Sequence, residues 1–168
     1  MMVLREGTLE LTLPDGAQGR KFDNLDHGLS HCMKAVDFVV EESDWVLFIE
    51  FKDPDHLRAD PDAREAFLQE LQTGGKDDDL VRKYRDSFIY RWAENALKKP
   101  IIYYVLVAAS WLDEAMLLAR TEELKRKLPI EGPASGVWQR QIVAGCGVFN
   151  LETWNKHLLQ YPVKRVAP

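Results

Sequence analysis

The sequence predicts an α/β protein built on a single mixed β-sheet flanked by helices, and two patterns predict it. Runs rich in β-branched and aromatic residues come first, at 34–41 and 45–53, spaced closely enough for an antiparallel meander. Segments of helical periodicity then alternate with apolar, strand-like runs, which implies helix–strand crossover units with parallel pairing. With 168 residues and 46% hydrophobic content, the chain has material for one core, so residues 1–168 read as a single domain.

Thr8 to Leu13 alternates like a strand and stops at the turn Pro14-Asp15-Gly16, after which Arg20 to Asp23 is expected to return as a short partner. Lys34 to Glu41 and Trp45 to Asp53 make a hairpin across Glu42-Ser43-Asp44. Asp60-Pro61 supplies a cap and a first-turn proline for a helix to about Leu71, stopped by Gly74-Gly75. From Asp77 to Lys98, Val81, Tyr84, Phe88, Ala93, Ala96 and Leu97 recur at helical spacing, with acids at the start and lysines at the end. Ile101 to Ala109 reads as a strand covered on both faces. Ser110 is expected to cap a helix ending near Leu128, Val137 to Phe149 to form the last strand, and Asn150 to cap the last helix, which ends before Pro162.

Composition narrows the function. A net charge of −5 gives no long-range field for a polyanion, so any nucleic-acid contact must be local. Cys32 and Cys146 lack metal-type spacing and read as free thiols in a reducing cytoplasm. The N-terminus has no signal-peptide pattern, and Ile101 to Trp111 is about half a membrane span, so the protein is expected to be cytoplasmic with no membrane partner.

The chemistry concentrates at Asp37, Glu50 and Lys52. If Ser43 and Asp44 form a two-residue loop, Asp37 lies opposite Glu50 and Ala35 opposite Lys52. Side-chain alternation then turns all three charged groups to one face. That face also carries Ala35, Val39, Val46 and Phe48, while Val36, Phe38, Val40, Leu47, Ile49 and Phe51 belong to the other. Opposed carboxylates on a covered face repel each other unless a proton or cation offsets their charge. Mg²⁺ or Mn²⁺ suits oxygen ligands and can activate a water, which Lys52 would orient. A structural ion-pair cluster is the alternative.

Asp37, twelve intervening residues and then Glu50-Phe51-Lys52 resemble the motif of the PD-(D/E)XK nuclease superfamily, whose fold is restriction-endonuclease-like. The resemblance spans Lys34 to Ala109, where acid and E-x-K strands are followed by a helix and a further strand. It implies a metal-dependent nuclease in which Asp37 and Glu50 ligate Mg²⁺ or Mn²⁺, the Phe51 carbonyl completes the site and Lys52 assists the water. The motif's proline is replaced by Val36. Members usually carry an upstream helix with another acid; Phe22 to His31 is a poor version of it, with Asp26 the candidate and Asp23 behind it.

On the long helix, Lys83, Arg85, Ser87 and Arg91 are candidate nucleic-acid contacts beside Tyr84 and Tyr90. DNA is the expected partner, with a homodimer or larger complex also expected. His27, His31, His56, Asp53 and Asp55 lack a metal-site spacing and read as surface or supporting groups. Gly145-Cys146-Gly147 reads as a bulge or close backbone approach ahead of a thiol nucleophile. A catalytically inactive nuclease-fold protein, acting as a binding or assembly module, is the alternative function.

Overall fold

Leu9, Leu11 and Leu13 are all buried, and their need for a covering surface sets the architecture. The structure, a computed structural model, describes residues 1–24, 26, 28–56 and 60–167. The leucines lie on β2 (Leu9–Leu13), which pairs antiparallel with β1 (Met2–Glu6) on one side and with β8 (Val163–Arg165) on the other. A separate five-stranded sheet runs β3 (Gln18–Lys21), β4 (Phe38–Glu41), β5 (Val46–Lys52), β6 (Ile101–Val107), β7 (Gly145–Phe149). Its first three strands are antiparallel and its last three parallel.

The expected single sheet is therefore two sheets, and the reason lies in the partner of β2. The strand after the Pro14-Asp15-Gly16 turn pairs with β4, while β2 packs its leucines on Phe38, Val40, Leu47, Ile49 and Phe51 of the larger sheet. A strand that buries one face against a sheet cannot also extend that sheet at its edge. Gly19 on β3 permits the close approach, since a β-carbon there would collide with Leu13 and come within 2.8 Å of Leu4 Cδ1.

The other face of the large sheet is covered by α1 (Pro61–Thr73), α2 (Asp77–Ala93) and α3 (Glu114–Lys127), through Leu68, Leu71, Leu80, Tyr84, Leu117 and Leu124. Asp60 caps α1 and Gly74, at φ 82°, ends it. Helix α2 stops short of the expected Lys98. Asn95 takes a left-handed φ of 56°, its N–H bonds to Trp92 O, and Ala96 N–H bonds back to Arg91 O at 3.0 Å, a Schellman closure.

Two later boundaries also differ. The cap of α3 is Asp113, whose carboxylate accepts from Met116 N–H, and not Ser110. Strand β7 begins at Gly145 and not Val137, because Ala144 N–H already bonds to the carbonyl of Ile101, the first residue of β6. Residues before it have run past the neighbouring strand, and Val137 is exposed. The last helix, α4 (Leu151–His157), has the expected Asn150 cap, completed by Thr153 in a reciprocal capping box. Among the described residues, no helix is long and apolar enough to cross a membrane.

Candidate functional site

Glu42 N–H bonds to Trp45 O at 2.9 Å, so Ser43 and Asp44 form a two-residue loop. The β4–β5 register pairs Phe38 with Ile49 and Glu41 with Val46. Continued one residue beyond β4, it sets Asp37 opposite Glu50. Both are buried, at 5% and 0% exposure, on the side of the sheet covered by the helices. Asp37 Oδ2 accepts the Phe51 N–H at 2.6 Å. Val36 departs from the alternation: it precedes the strand, packs with Ala35 in the helix-side core, and donates its N–H to Ser87 Oγ.

Two ammonium groups approach the pair. Lys52 Nζ lies 2.7 Å and Lys83 Nζ 2.8 Å from the same Glu50 Oε1, and Lys83 is also 3.9 Å from Asp37 Oδ1. Neither contact with Glu50 has hydrogen-bond geometry, so Oε1 and Oε2 are buried without a hydrogen-bond partner among the described residues. Around them, Asp23 Oδ2 is 3.5 Å from Lys83, and Asp79 pairs with Lys34 and lies 4.0 Å from Lys52. When all are ionised, four carboxylates (Asp23, Asp37, Glu50, Asp79) face three ammonium groups (Lys34, Lys52, Lys83).

Burial and the neighbouring charges together set the titration of Asp37. Burial first, and then the Glu50 charge, raises its carboxyl from 3.8 to about 7, against the opposing pull of Lys83 and the Phe51 N–H. Burial alone would lower Lys83, but Glu50 and Asp37 more than reverse this and hold its ammonium charged. Burial would raise Asp79, yet its bond from Lys34 and the nearby charges of Lys52 and Lys83 lower it.

The structure brings Asp37, Glu50 and Lys52 together and distributes the other candidates. Asp26 is exposed and accepts from Asn24 Nδ2 at 3.2 Å, away from the contacts of the cluster. Asp23, behind it in the sequence reading, is the upstream acid that touches Lys83, and its N–H lies 3.4 Å from Asp37 O. The Phe51 ring faces the opposite core, against Phe38 and Trp154.

Ser87 and Arg91 correct the nucleic-acid expectation, because both are buried. Ser87 accepts from Val36 N–H, and Arg91 pairs with Glu41 and Glu94, which fixes α2 to the sheet. Arg85 is exposed, near Lys127 O. Asp53 is held by Arg165 and Asp55 by Arg64 and Ser110, His31 is exposed, and His27 lies outside the described residues. Cys32 and Cys146 are free, and burial pushes the Cys146 thiol up to about 11, which removes its nucleophilic thiolate at neutral pH.

The role of Lys83 at the acids was missed by sequence reasoning, although a signal existed. Leu80, Tyr84 and Ser87 mark the buried face of α2, and Lys83 stands three residues after Leu80 and four before Ser87, at the edge of that face. Among the described residues, no three His, Cys, Asp or Glu side chains form a group that would hold a metal by themselves. No protein-family model, curated protein or solved structure matches the chain.

Proposed function

We propose that the Asp37, Glu50 and Lys52 cluster is the reaction centre of a metal-dependent nuclease, hydrolysing phosphodiester bonds of nucleic acid with a PD-(D/E)XK-like site. The observation that carries this reading is the opposition of two buried carboxylates, Asp37 and Glu50, in which Glu50 Oε2 has no hydrogen-bond partner among the described residues and Oε1 meets lysine ammonium groups. Further support comes from the chain order: acid and E-x-K on adjacent antiparallel strands, then helices, then β6 parallel to β5.

The donor set fits a hard divalent ion, Mg²⁺ or Mn²⁺, because it offers only oxygen: Asp37, Glu50 and the Phe51 carbonyl, with water making up the remainder. Bound there, such an ion would polarise a phosphate and lower the pKa of a water. The Phe51 N–H locks the Asp37 carboxylate against β5, the strand that carries Glu50. Lys52, one pleat beyond Glu50 and a quarter exposed, can reach outward to orient the attacking water or meet a phosphate oxygen. Arg82 and Arg85 on the exposed side of α2 supply local positive charge for the strand, taken to be DNA, in a chain whose net charge is negative. A homodimer or larger complex is part of the same proposal. The test is cleavage of labelled DNA by purified protein with Mg²⁺, compared with Lys52→Ala; equal cleavage by the variant would refute the assignment.

A second reading has its own support. Lys52 and Lys83 offset much of the carboxylate charge without any cation, as a binding or assembly module with a retained ion-pair cluster would need. In that case titration with Mn²⁺ shows no binding that depends on Asp37 and Glu50.

A further inference from the structure

Lys83 lies deeper than a lysine that follows a phosphate backbone would need to. Its side chain is 12% exposed, and its Nζ stands within 4 Å of three carboxylates: Glu50 at 2.8 Å, Asp23 at 3.5 Å and Asp37 at 3.9 Å. Lys52 is brought to Glu50 by the pleat of β5. Lys83 comes from a different element and is the ammonium that contacts both opposed acids.

We infer that Lys83 is a positioning residue that exchanges with the divalent cation: its ammonium sits between Asp37 and Glu50 when no metal is bound, and gives up Glu50 when one is. The inference rests on the nuclease-type reading only in taking those two carboxylates as the cation's ligands. A divalent ion brought to Glu50 is repelled by the two ammonium groups that stand 2.7 and 2.8 Å from its Oε1, and withdrawal of one of them relieves that repulsion. Lys52 is tied to the Glu50 strand. Lys83 already has a second partner in Asp23, at 3.5 Å, whose side chain is 45% exposed and can keep the ammonium once Glu50 is given up.

The exchange is read by calorimetric titration of Mn²⁺ into wild type, Lys83→Met and Lys83→Arg at pH 8, each first melted in EDTA to establish folding. Removal of the competing charge makes Lys83→Met bind Mn²⁺ about tenfold more tightly, while Lys83→Arg stays near wild type. Lys83→Met also melts lower in EDTA and regains more on adding Mn²⁺ than wild type does. Lys83→Gln serves the same comparison where the methionine variant does not fold without metal. Equal Mn²⁺ affinity in wild type and the neutral variants, with binding still dependent on Asp37 and Glu50, overturns the exchange and leaves the metal site standing. Absence of Mn²⁺ binding in every protein overturns both.

Discussion

Asp37 and Phe51 are joined by a side chain-to-backbone bond of 2.6 Å, which fixes the acid to the strand that carries Glu50. The bond does for this end of the hairpin what a ladder bond would do, and it keeps the two carboxylates opposed despite their repulsion. The pH dependence and the stability of this end of the hairpin are therefore linked at one point.

The pH dependence follows from Asp37. Its carboxyl titrates at about 7 in the folded protein against an ordinary 3.8, so the folded state binds more protons between those values. Without metal, the stability it contributes is fully present below about pH 4 and is lost as pH rises through about 7. Each unit of difference corresponds to about 1.4 kcal/mol at most. Thermal melts in EDTA from pH 4 to 8 should show this fall, and Asp37→Asn, which keeps an acceptor for Phe51, should flatten it and melt higher than wild type at pH 8.

Activity and folding should separate at Lys52 and Glu50. Lys52→Ala and Glu50→Ala are expected to lower Mg²⁺-dependent cleavage by at least about a hundredfold. Circular dichroism should remain that of wild type, because the neighbouring Phe48 and Val46 hold β5 in the core.

Arg91 provides the converse case. Its guanidinium is buried and bridges Glu41 and Glu94, each about a third exposed and each with a second cation in Lys99 or Arg20, so Arg91→Ala should cost about 1 kcal/mol by urea unfolding. DNA binding measured well below the unfolding midpoint should be unchanged. A specific loss of binding would return Arg91 to the nucleic-acid surface.

The two thiols should differ in reactivity. Cys32 is exposed, while Cys146 is partly buried with its thiol raised to about 11. At pH 8 a thiol reagent should modify Cys32 quickly and Cys146 only on unfolding, a difference that mass spectrometry resolves residue by residue.

The hairpin was legible because its register depends on local information: the loop at Ser43-Asp44 and the alternation on either side. The α1 stop at Gly74 and the Asn150 cap of the last helix were legible for the same reason. The second sheet was not, because β1 is largely exposed with its apolar residues grouped and not alternating, and β8 has only three residues, so neither carries a strand pattern of its own. Their pairing is dictated by the leucines of β2, which is tertiary information. Lys83 and Arg91 were mistaken for surface groups because a charge pattern along a helix does not reveal which carboxylates the sheet sets against it.

Whether Asp37 and Glu50 hold a divalent cation is read from a crystal of the protein soaked in Mn²⁺ and measured at the manganese edge. An anomalous peak is expected between Asp37 and Glu50, at roughly 2.2 Å from an oxygen of each. A map with no peak there, and with Lys52 and Lys83 still on Glu50, would contradict that expectation.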